Sequence, residues 1–201
     1  MTGSLLSKIN GCTEAPAKCA IKLRQLLKDR SGVGSIEFAF LVPVLMGIYI
    51  ASLEISVGMT VDTKVARAGN ITLDLVTQGT KTTKSELKGM TDVAASILSP
   101  FSAENITLVY TGISVDKSKK AKIDWSWTSA TNSRAFTDGA EINIPAGLKI
   151  PNSYYVRVEI SNPYDYLTSL PFLGTDKTSV TMRDTYYMRP RRGSQLDCGD
   201  C

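Results

Sequence analysis

The sequence predicts an α+β protein. A long N-terminal transmembrane helix continues into an exported domain with about two helices and a roughly four-stranded antiparallel sheet. Three observations carry this prediction. Residues 38–53 contain no charge, and the apolar character resumes after Glu54 as far as Val61. Those 24 residues reach about 36 Å as a helix, enough to cross a bilayer with some tilt. Apolar residues then recur at helical spacing to Leu98, and beyond Asn105 the period changes to two, the spacing of half-buried strands.

The charge distribution orients the span. The net charge of +4 falls within residues 1–32, where six basic side chains face Glu14 and Asp29, and the rest of the chain carries seventeen of each sign. A basic flank on one side of an apolar run is a topology signal, which places residues 1–30 in the cytoplasm and 62–201 outside it. It is not the footprint of a nucleic-acid binder. A cleaved secretory signal fits poorly, because the apolar run exceeds the roughly 7–15 residues of a signal core. Within the span, Pro43 frees one backbone carbonyl. Gly47, Ala51, Glu54 and Gly58 recur every three or four residues and put small side chains on one stripe, where a second helix could approach closely. The plainer reading is that Gly and Ala are common in membrane helices.

The organisation expected is a basic cytoplasmic leader over 1–32, a transmembrane helix over 33–61, an exported helical region over 62–100, an exported β-rich domain over 101–192, and a C-terminal tail over 193–201. Val61, Val65, Ala68, Leu75 and Val76 continue the first helix outward, with Gly79 as its stop. A second helix fits 84–98, with Leu87, Met90, Val93, Ala94, Ile97 and Leu98 as its apolar stripe and Pro100 just beyond. Residues 105–115 and 122–128 alternate on either side of a Lys-rich loop and read as a hairpin. Residues 129–153 are rich in Ser, Thr, Asn, Gly and Pro and read as a long loop. Residues 154–160 form a strand that Asn162-Pro163 should end, 165–174 a loop with room for one helical turn, and 178–188 a last strand.

The chain has no histidine. This removes the usual Ser-His and Cys-His nucleophile pairs and the commonest zinc ligand. No cluster of carboxylates, lysines or cysteines forms a recognisable catalytic or metal site, so neither an enzyme nor a cofactor is expected. Trp125, Trp127, Tyr154 and Tyr155 could form a stacking platform for sugars or bases; aromatics on both faces of a sheet is the plainer reading. Lys117, Lys119, Lys120 and Lys122 make a basic hairpin tip, by default a solvated turn. Cys198 and Cys201, in an oxidising compartment, are candidates for a local disulfide that closes a very short loop. Cys12 and Cys19 face a reducing cytoplasm and are expected as free thiols.

The boundary between the basic segment and the apolar run reads Gly32-Val33-Gly34-Ser35-Ile36-Glu37-Phe38. A carboxylate just inside a membrane-length helix is expensive and calls for a role. The segment from Arg30 to Pro43 resembles the N-terminus of the TadE/TadG family of tight-adherence pilus proteins. These share a small-residue entry, then Glu-Phe-Ala, then a proline a turn later. Residues 61–78 continue the resemblance as a charged helix after the membrane. The segment before Gly32 is long for a pilin leader, and many Tad-type major pilins carry Glu-Tyr where Glu37-Phe38 stands here.

The resemblance implies a minor pseudopilin held in a bacterial inner membrane. Gly32 and Val33 would flank a prepilin-peptidase cut, and Glu37 with Phe38 would serve recognition and assembly. The implied partners are the prepilin peptidase, other pilins and pseudopilins, the inner-membrane assembly platform and membrane lipid. Glycine-rich residues 32–35 would enter a protease groove in extended form. Whether the Gly32–Val33 bond is cut stays open. So does a second reading, an anchored exported binding or adhesin module that never enters a pilus.

Overall fold

The computed structural model describes residues 33–165 and 179–201. The leader with Gly32, Cys12 and Cys19, and the loop expected near 165–174 beyond Asp165, lie outside the described residues. The chain divides into two compact units between Ala51 and Ser52.

The first unit contains the start of helix α1, Val33–Thr77, which runs through Pro43. Its side chains are apolar around the whole circumference and bare: Phe38, Phe40 and Ile48 are each more than 60% exposed. The second unit begins within α1. Here the helix acquires an inner face, with Val61, Val65, Ala68, Thr72 and Val76 buried at helical spacing. Leu75 is 40% exposed, and its neighbour Leu73 is buried instead. The stripe passes through Thr72, whose hydroxyl donates to the Ala68 carbonyl at 2.8 Å and is thereby satisfied within the core.

After β1 (Lys81–Thr82), helix α2 spans Lys84–Leu98. It starts at a capping box: the Thr83 hydroxyl accepts from the Glu86 N–H, and the Glu86 carboxylate accepts from the Thr83 N–H. Leu87, Ala94 and Leu98 bury its inner face. Four strands follow: β2 (Thr107–Val115), β3 (Ala121–Thr128), β4 (Ser153–Asp165) and β5 (Ser179–Met188). They form one antiparallel sheet in the order β3-β2-β4-β5. The architecture is therefore α+β, with one long apolar N-terminal helix, a second helix and a four-stranded antiparallel sheet.

One sheet face packs on the helices through Leu108, Tyr110, Trp125, Trp127, Tyr154, Val156, Val158 and Ile160. Contact is closest at Gly69, where an added Cβ would lie 2.9 Å from Ile160 Cγ2. The opposite face carries a smaller core of Ile113, Val115, Ala121, Ile144 and Tyr155. Ile144 comes from the stretch expected as loop. That stretch holds a short 3-10 helix, Ala146–Leu148, and isolated bridges from Ser133 and Glu141 to β3. It acts as a cover for the second sheet face.

Strand β4 does not end at Asn162-Pro163; it continues to Asp165, with Pro163 opposite Thr181 of β5. The last β2 partner of β4 is Thr107, opposite Ser161. Beyond it, among the described residues, β4 pairs on one side only, an edge position where a residue lacking an N–H is tolerated.

Residues 193–201, read as a tail, are built into the second unit. Leu196 is fully buried, and β6 (Asp197–Cys198) pairs in parallel with β1.

Candidate functional site

Of the residues singled out at the membrane boundary, Val33, Glu37 and Phe38 lie on α1, and Gly32 lies outside the described residues. The helix is already formed at Val33, whereas an extended entry was expected for residues 32–35. The first N–H groups of any helix lack intrahelical partners, and glycine at Gly34 costs about 1 kcal/mol relative to alanine. Among the described residues, an added Cβ at Gly34 would touch nothing within 4 Å. Glu37 and Phe38 are exposed on the next turn.

By the 3.6-residue period, Pro43, Gly47, Ala51, Glu54 and Gly58 fall within about 80° of arc. Gly47 and Ala51 are exposed, and Glu54 and Gly58 are half-buried. A Cβ added at Gly47 or at Gly58 would meet nothing within 4 Å. Among the described residues, then, no side chain lies against these two glycines. The helix is long and apolar enough to cross a membrane, and none of its most apolar window is buried.

The aromatic platform does not exist as a surface. Trp127 is fully buried, Trp125 nearly so, and Tyr154 and Tyr155 pack into opposite faces of the sheet. Trp125 instead serves the C-terminal segment. Its indole Nε1 donates to the Leu196 carbonyl at 2.7 Å, and the Tyr154 hydroxyl donates to the same oxygen at 2.6 Å. Burial pushes the Tyr154 phenol well above its ordinary pKa, so it stays a donor. Gly112 makes room: a Cβ there would clash with Trp125 Nε1 and the Tyr154 oxygen.

Cys198 and Cys201 are joined in a disulfide. Next to it, Asp200 Oδ1 accepts from the Lys84 N–H at 2.8 Å, satisfying one orphan donor in the first turn of α2. Donor atoms of Cys198, Asp200 and Cys201 lie within 4.8 Å of one another. Both sulfurs are consumed by the disulfide and the carboxylate by Lys84, so the trio fastens the chain and offers no thiolate to a metal. The sequence signal for this clasp was slight, because Leu196 stands alone among polar residues.

The basic hairpin tip is a folded turn. Asp116 accepts from the Ser118 hydroxyl at 2.7 Å and from the Lys120 N–H at 2.8 Å, and the Ser118 hydroxyl above all holds its carboxyl below the usual range. Lys120 pairs with Glu141 at 2.7 Å.

Fold and helix together define an α+β protein with one candidate membrane span at its N-terminal side. Comparison of the chain with protein-family models, with curated proteins and with solved structures finds no match.

Proposed function

We propose that this chain is a minor pseudopilin of a tight-adherence, type IV-like secretion system, acting in pilus biogenesis. The observation that carries the reading is Glu37. It sits on the first turns of a helix apolar on every side, just after a glycine-containing entry and a basic segment. In this reading the leader stays in the cytoplasm, the inner membrane holds α1, and the second unit is exported. Prepilin peptidase cuts after Gly32. The new α-amine at Val33 is then paired by Glu37 of a neighbouring subunit, which gives both charges a partner in low dielectric and sets subunit register. The stripe through Gly47, Ala51 and Gly58 lets other pilin helices approach.

Mass spectrometry of the mature N-terminus tests the cut: a chain starting at Val33 is expected, and an intact N-terminus outside any pilus fraction overturns it. Glu37→Ala should leave membrane insertion unchanged and abolish incorporation into pilus material, read by fractionation. Normal incorporation of that variant removes the role given to Glu37.

A further inference from the structure

A cleft of about 870 Å³ opens between β3, β4 and the segment 134–143, within the second unit. Arg157 of β4 lines it and is only 6% exposed. A guanidinium carries five N–H donors, and a buried one ordinarily spends most of them. Here Nη1 meets Glu159 at 3.1 Å, and Nη2 reaches the Thr111 hydroxyl at a long 3.5 Å. Nε is buried with no hydrogen-bond partner among the described residues. The ring of Phe136 lies 5.4 Å from the guanidinium carbon, and Phe136 is itself 37% exposed. Its position is fixed from below: the buried Ser126 hydroxyl accepts from the Phe136 N–H at 2.8 Å and donates to the Phe136 carbonyl at 3.0 Å. Arg157 is thus a buried cation whose donors are not all spent, held under a clamped aromatic ring at the wall of a cleft.

We propose that this cleft binds a carboxylate-bearing sugar, with Arg157 as the anchor of the carboxylate. Arg134 and Arg157 share the lining with Glu141 and Glu159, so two cations face two carboxylates, and this balanced charge suits a monoanion better than a dianion such as phosphate. The Thr137 hydroxyl and the Asn143 amide suit sugar hydroxyls, and the exposed part of Phe136 suits the C–H face of a pyranose. A peptide adding as a strand is disfavoured, because the outer edge of β3 is already bonded. Thr128 N–H donates to the Ser133 carbonyl, Ile123 N–H to the Ala140 carbonyl, and Gly139 N–H to the Ile123 carbonyl. The cleft exists whether or not the chain enters a pilus.

The test uses the full chain in detergent micelles, titrated with D-glucuronate and with D-glucose, its match without a carboxylate, and followed by amide NMR. Glucuronate should give saturable shifts confined to residues 134–143 and 157–159. Glucose, Arg157→Gln and Phe136→Ala should each weaken binding by about tenfold or more, the loss of one charge-assisted hydrogen bond or its aromatic support. Phe136→Ala alters a part-exposed side chain and decides the matter if Arg157→Gln fails to fold. Absence of saturable shifts, equal binding of glucose, or undiminished binding by Phe136→Ala overturns the proposal. So does tighter binding at these residues by a short acidic peptide.

Discussion

Gly112 shows how a single missing side chain organises the core. Gly112→Ala forces a methyl group against Trp125 Nε1 and the Tyr154 hydroxyl, neither of which can move without releasing the Leu196 carbonyl. The expected cost is about 3 kcal/mol, measured as a shift in the denaturant midpoint of the full chain in micelles. Asp124 gives a pH-dependent counterpart. Burial raises its carboxyl pKa, opposed by the Ser114 hydroxyl at 2.7 Å and reinforced by the charges of Asp197 and Asp138. With the folded pKa above the unfolded one, the penalty is absent while both states are protonated. It grows as pH rises through the ordinary Asp range near ~3.9 and is complete above the folded pKa. Asp124→Asn should therefore raise the melting temperature at pH 7 and leave it unchanged near pH 3. Neither residue was legible in the sequence. Gly112 falls where the alternation breaks between Tyr110 and Ile113, at the register shift of β2 against β3, but the neighbours that require a glycine there come from residues 125 and 154. Arg157 likewise belongs to an alternating strand, where a charged side chain suggests a solvated face; the cover that buries it is supplied by residues 134–143.

At the scale of elements, local chemistry was readable and long-range chemistry was not. The second helix was expected over 84–98 and is observed there, because Thr83, Glu86 and the apolar stripe act within a few residues of one another. The strands follow the period-two pattern for the same reason. Leu75 and Leu73 exchanged roles because α1 is read correctly only when Thr72 is admitted to the buried stripe. The clasp of β6 on β1 could not be foreseen, since Leu196 meets Trp125 from 71 residues away. Its two parts should differ in weight. Leu196→Ala empties a fully buried site and should cost about 3 kcal/mol. Reducing the Cys198–Cys201 disulfide, whose cysteines are three apart in sequence, frees only a very short loop and should cost about 2 kcal/mol or less. Parallel denaturant titrations of Leu196→Ala and of the reduced parent chain compare them; a larger loss on reduction would reverse this ranking.

Across the whole molecule, burial changes character along α1. Residues from Ile36 to Met59 present large apolar side chains outward, and from Val61 the helix has a core to face. A chain lacking residues 1–51 should therefore keep the fold of the second unit, with a melting temperature like that of the full chain in detergent and circular dichroism reduced only by the helical signal of the deleted part of α1. The sequence marked this transition because charge and hydropathy change abruptly there, whereas the C-terminal clasp left no such mark. That clasp bears on the order of folding. Translation proceeds from the N-terminus, so the helices and all four strands of the sheet are available before residue 196 is made. The indole of Trp125 and the phenol of Tyr154 must wait for that carbonyl. Completion of the core is thus a late event, and a nascent chain stopped short of Leu196 holds an open socket that a quality-control protease could recognise as unfinished.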